Sequence, residues 1–144
     1  MPIATRPDAL EAVRALARAS KLLERASGEL SLPQYRVLAA IEAGEERASR
    51  LATRLTLGKP TISAAVDALC ERGLVERHAV SADHRASAIV LTPEGRVALE
   101  RAETAMVARL GSVLEQTLHK KAVLTGLVEL GRALDDVTAA DPPA

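Results

Sequence analysis

Between Arg47 and Leu91 the hydrophobic period changes from helical to alternating, and residues that break regular structure mark each change. Leu51, Ala52 and Leu55 recur as one face of a short helix over Ala48–Thr56, and Leu57-Gly58 makes a turn. Ile62, Val66 and Leu69 then form the face of a second helix over Lys59–Arg72. Pro60 suits the first turn of that helix, where its missing N–H costs nothing, and Gly73 suits the left-handed position just past its end. Leu74–His78 and Ser87–Leu91 read as two short strands, joined through the polar residues 80–86 as a hairpin tip. Helix, tight turn, helix and hairpin in that order are a helix-turn-helix with an appended β-wing.

The flanks read as helices that serve this unit. Asp8 is the expected N-cap of a first helix running to about Ser27, and Gly28 stops it. Ser31-Leu32-Pro33 opens a second helix with Tyr35, Leu38 and Ile41 on one face, ending at Gly44. Thr92-Pro93-Glu94 combines an N-cap, a first-turn proline and a first-turn carboxylate. The helix it opens is expected to run to about Leu118, roughly 26 residues or about 39 Å. A last helix from about Lys120 to Val137 carries Val123, Leu124, Leu127, Leu130 and Leu134. Such lengths exceed what a small domain needs, so the surplus apolar surface is expected to meet a second copy. The fold class is therefore mainly α with a small β-wing. Residues 1–30 form an N-terminal dimerisation helix, 31–92 the winged helix-turn-helix, and 93–144 the C-terminal dimerisation helices, all in one structural domain per protomer.

Composition limits what else the chain can be. Of 144 residues 48% are apolar, yet Tyr35 is the one aromatic ring, so the core must be built from helices in close approach. Net charge is zero, which removes any global attraction to nucleic acid. Locally, Arg47, Arg50, Arg54, Lys59, Arg72, Arg77 and Arg85 outnumber Asp67, Glu71, Glu76 and Asp83, so the segment from Arg47 to Leu91 is basic and the remainder acidic. One cysteine excludes an intrachain disulfide, and His78, His84 and His119 stand at no metal-ligand spacing, so no metal or cofactor is expected. A glycine-rich phosphate loop, a nucleophile elbow and paired catalytic carboxylates are all missing, which argues against an enzyme. The start has no long apolar run, and no stretch approaches the ~20 apolar residues of a membrane span, so a cytoplasmic location is expected.

The chemistry that remains is recognition. Lys59, Thr61 and Ser63 stand at the N-terminal end of the second helix, opposite its core face, with Pro60 as an apolar edge. Short hydroxyl and basic side chains there can bond base edges or phosphate oxygens. Arg85, in the Asp83-His84-Arg85 tip, is placed to enter a minor groove, with Asp83 orienting it or tying the hairpin. Arg50, Arg54 and Arg77 are candidate phosphate contacts. Taken singly, a capped surface helix and a solvated turn would give the same patterns.

In combination these residues resemble the multiple-antibiotic-resistance-regulator (MarR) family of winged-helix transcription factors. The resemblance rests on the run from Leu51 through Leu57-Gly58-Lys59-Pro60-Thr61-Ile62-Ser63 to Arg72-Gly73-Leu74-Val75. It is carried further by the Asp83-His84-Arg85 tip, by Leu91-Thr92-Pro93-Glu94-Gly95, and by Leu32-Pro33-Gln34-Tyr35-Arg36-Val37-Leu38. It implies a homodimer whose recognition helices enter consecutive major grooves of a pseudo-palindromic double-stranded DNA operator while the wings reach the flanking minor grooves. It also implies a repressor released by a small-molecule effector, with Tyr35 the one ring available to line an effector pocket, or else ordinary core. Departures matter too: Gly58 stands where many relatives have a capping serine, Ala64 and Ala68 where they often have arginine, and His84 where a second arginine is common. Readout is thus expected to lean on Lys59, Thr61, Ser63 and an Ala64 methyl contact, with a shallow salt dependence. Some relatives sense oxidants, which makes Cys70 a redox candidate, although its place near a helix C-terminus disfavours a thiolate and fits a packed, inert thiol. A winged helix used as a protein-interaction module is the competing class.

Overall fold

The helices that follow Thr5, Ser31 and Thr92 each begin where a hydroxyl side chain takes up a free amide. A computed structural model of the chain describes residues 5–45, 47–79 and 87–140. Helix α1 (Arg6–Ala26) starts at Thr5, whose hydroxyl accepts from the Asp8 amide and donates to the Asp8 carboxylate at 2.6 Å. Asp8 is therefore not the cap expected of it. Pro7 fits the first turn, so the helix opens earlier and leaves the Asp8 carboxylate at its positive end. Helix α2 (Leu32–Glu42) opens with a capping box: Ser31 accepts from the Gln34 amide at 3.2 Å, and the Gln34 side chain accepts from the Ser31 amide at 3.1 Å.

The helix-turn-helix follows as α3 (Ala48–Leu55) and α4 (Lys59–Glu71). Thr56 closes α3 in the left-handed region, at φ 53°, a conformation that β-branched residues rarely adopt. It is held there because the Leu57 amide reaches back to the Ala52 carbonyl at 3.2 Å. Strands β1 (Val75–Ala79) and β2 (Ser87–Leu91) pair antiparallel, with Val75 opposite Leu91 and Ala79 opposite Ser87. The expected tip, residues 80–86 with Asp83, His84 and Arg85, lies outside the described residues.

Helix α5 (Pro93–Leu114) leaves the wing through a tight joint. The Thr92 hydroxyl donates to the Gly73 carbonyl at 2.6 Å and accepts from the Gly95 amide at 3.0 Å. A Cβ on Gly95 would stand 2.0 Å from the Leu74 carbonyl oxygen, so only glycine allows this approach. The helix ends at Leu114, short of the expected Leu118, because the Thr117 hydroxyl and amide both turn back onto the Leu114 carbonyl. Helix α6 (Lys120–Ala140) completes the chain.

The core gathers where these elements meet. Val37, Leu38, Leu51, Ile62, Val66, Leu69, Val75 and Ile89 are fully buried, and Leu99, Ala102 and Met106 extend the cluster along the first half of α5. By contrast α1 and α6 bury no residue. Val123, Leu127, Leu130, Leu134 and Val137 of α6 follow alternating steps of four and three, the spacing of a helix-pairing seam, and all are exposed.

Candidate nucleic-acid interface

Helix α4 divides cleanly into two faces. Ile62, Ala65, Val66 and Leu69 point into the core, which turns Lys59, Pro60, Thr61, Ser63 and Ala64 outward, all exposed. Gly58 supplies the extended cap residue but no side-chain hydrogen bond, so the first amides of α4 stay open to an outside acceptor. The four candidate contact residues of this helix thus lie together on one accessible end.

The expected phosphate-binding arginines are dispersed. Arg77, on β1, donates to the Asp67 carboxylate of α4 at 2.7 Å, with both side chains well exposed. The pair braces the wing against the outer face of α4. Arg50 and Arg54 line a cavity of about 460 Å³ with Glu45, Thr53, Asp135, Thr138 and Ala139, between α3 and the end of α6. Cys70 is half-buried near the end of α4 and packs on the core.

Tyr35 sits at a second cavity, of about 420 Å³, enclosed by α2, α3 and α6. Arg36, Ala39, Leu55, Thr56 and Leu134 share its walls, and Arg54, Asp135 and Thr138 line both cavities, so the two form one trough. The Tyr35 hydroxyl donates to the Glu103 carboxylate of α5 at 3.3 Å. Burial, and secondly the Glu103 charge, hold the phenol above its ordinary pKa. Arg36 is the residue that the sequence pattern alone did not single out. Its guanidinium donates to the Leu55 carbonyl, one of the free acceptors at the end of α3, and burial draws its pKa below the ordinary value. The available signal was a lone cation within the apolar run Val37–Ile41 and its leading turn.

Residues 29–86 match a family model described as "MarR family". Among solved structures, the transcriptional repressor CouR bound to a 23-mer DNA duplex is 28% identical over 88% of this chain and 92% of that one, with a TM-score of 0.71. The transcriptional regulator BldR from Sulfolobus solfataricus is 25% identical over 90% of this chain and 99% of that one, with a TM-score of 0.70. CouR from Rhodococcus jostii RHA1 bound to p-coumaroyl-CoA shares the fold at 24% identity, covering 85% of this chain and 87% of that one, with a TM-score of 0.69. A comparison with curated protein sequences found no match.

Proposed function

We propose that this chain is a MarR-type winged-helix transcriptional regulator, a sequence-specific, homodimeric repressor released by a small ligand. The observation that carries this reading is the outward end of α4, where Lys59, Pro60, Thr61 and Ser63 are exposed beside uncapped amides. A major groove accepts a helix presented in this way, and the CouR structure, of the same fold, holds DNA. Arg85 would add a minor-groove contact, and Arg77 a phosphate contact from its place beside Asp67. Arg50 and Arg54 are better suited to the trough than to the duplex, since both line it.

The dimer is supported by the exposed seam of α6 and by Leu10, Val13 and Leu16 of α1, which in one chain leave two long apolar faces in water. Two-fold pairing would set the α4 helices about 34 Å apart, one turn of the duplex. A ligand in the trough would release DNA if it bound more tightly to a dimer in which that spacing is lost. CouR, which holds p-coumaroyl-CoA in one structure, gives a precedent for such an effector.

Fluorescence anisotropy against genomic fragments at two salt concentrations tests the reading. The expected result is tighter binding to the chain's own promoter than to random duplex. Replacing Lys59 by Ala should weaken binding to the promoter more than to random duplex and lower the salt slope by about one. Flat isotherms throughout would overturn the regulator reading and leave a protein-interaction module.

A further inference from the structure

The face of α4 that carries Lys59, Thr61 and Ser63 also carries an acid. Asp67 stands one turn beyond Ser63 and Ala64 on the same outward side, away from Ile62, Val66 and Leu69, and its side chain is 61% exposed. A carboxylate on a face presented to a polyanion repels phosphate, so attraction alone does not account for it. It is not a loose surface charge either, because Arg77 of β1 donates to it at 2.7 Å. Side chains alternate along a strand, so Glu76 and His78 point away from Arg77 and pair with each other at 3.0 Å. Among the described residues Asp67 is the one carboxylate that Arg77 meets. Lys59 lies about 12 Å back along the helix axis, beyond the ~8 Å screening length of physiological salt. Asp67 therefore leaves the basic end of α4 untouched and acts on Arg77.

We propose that Asp67 is a specificity-determining residue that acts through Arg77, withholding a phosphate contact from DNA on which α4 is not seated. This rests on the regulator reading and adds how the cation of the wing strand is kept off non-matching duplex. Sequence-independent affinity is set by the number of phosphates a protein neutralises, each contact releasing condensed counterions. An arginine already neutralised by a carboxylate at 2.7 Å releases none, so the closed pair is silent toward random duplex. An exposed pair is also weakly held. Once base contacts from Lys59, Thr61 and Ser63 seat α4, the duplex backbone is held beside β1 and draws the guanidinium over, most of its five N–H donors being unused in the pair. Matched DNA gains a contact that random DNA does not.

The test is binding of the full chain and its variants to the promoter fragment and to random duplex, at about 50 and about 200 mM salt. Asp67→Asn keeps an acceptor oxygen for Arg77, and so the brace, but removes the charge. On random duplex it should steepen the salt slope by about one for each protomer bound, so that the loss between the two salts grows about 3.5-fold per protomer. Promoter affinity should move by less than about twofold, and the preference for the promoter falls accordingly. Asp67→Glu, which keeps the charge, should return the slope to that of the wild type. On an Arg77→Gln background, which retains an amide donor for the brace, Asp67→Asn should change nothing; this separates action through Arg77 from a general loss of negative charge. Equal tightening on promoter and random duplex, no tightening on random duplex, or a gain that survives Arg77→Gln would each overturn the proposal while leaving a promoter-selective regulator. Flat isotherms for wild type and variants alike would overturn the regulator reading and the proposal with it.

Discussion

The winged-helix unit and the two terminal helices are built from the same small alphabet of Ala, Leu and Val, and they end in opposite environments. Leu38 and Leu51 are wholly buried, whereas Leu10 of α1 is 46% exposed and Leu134 of α6 is 58% exposed. Composition cannot separate these leucines; partnership does. Around Leu38 four helices and the wing converge within one chain, so burial is complete without help. The stripes of α1 and α6 are left exposed over most of their length. On the proposed dimer reading, their stability would depend on a second chain and its concentration, so that one region is self-sufficient and the other finished by assembly.

That contrast can be broken first on the self-sufficient side. Gly95→Ala puts a methyl group into the Leu74 carbonyl and should cost about 3 kcal/mol or more, read as a lower urea midpoint with loss of DNA binding. An unchanged midpoint would mean that the joint between wing and α5 is looser than its geometry. The assembly side is tested next. Leu127→Glu with Leu130→Glu places charges on the α6 seam and should convert a dimer to a monomer in sedimentation analysis while the winged helix still melts cooperatively. A dimer that persists would relocate the interface.

Smaller effects sharpen the same line. Ser31→Ala removes half of a capping box at the start of α2 and should cost about 1 kcal/mol in thermal unfolding, without altering oligomeric state. The smallest effect is a pH dependence. Because the folded chain holds Tyr35 above its ordinary pKa of 10.0, the unfolded chain loses that proton first as pH rises. Stability from this group is therefore complete below pH 10 and declines above it, a slope that Tyr35→Phe should erase. Tyrosinate absorbance, free of other aromatic signals, should show the folded chain titrating above that value.

Much of this architecture was legible from local signals. Periodicity with Gly73, Pro93 and Thr92 located α4, the hairpin and the start of α5, because caps and breakers act within a turn of their own position. The same locality explains the misses. Thr5 rather than Asp8 caps α1 because Pro7 moved the start, a competition between neighbours that periodicity does not rank. The early end of α5 turns on one hydroxyl, Thr117, bonding backward. The Asp67–Arg77 pair and the reach of Arg36 to Leu55 join residues ten and nineteen apart, and only the packed fold brings them together. The outward residues of α3 and α4 were legible since a core stripe defines its opposite face, whereas the cavity that Arg50 and Arg54 line was not, because α6 forms its other wall.

The joint at Thr92 and Gly95 has a mechanical consequence. With no room for a side chain and three hydrogen bonds across it, the base of the wing and the first turn of α5 move as one rigid arm. The 22 residues of α5 make that arm about 33 Å long, so a rotation of ~5° at the wing displaces its far end by roughly 3 Å. Val107 and Val113, exposed toward that end, are where such a displacement would be felt or imposed. Small repacking between two copies would then be geared directly into the tilt of the wing.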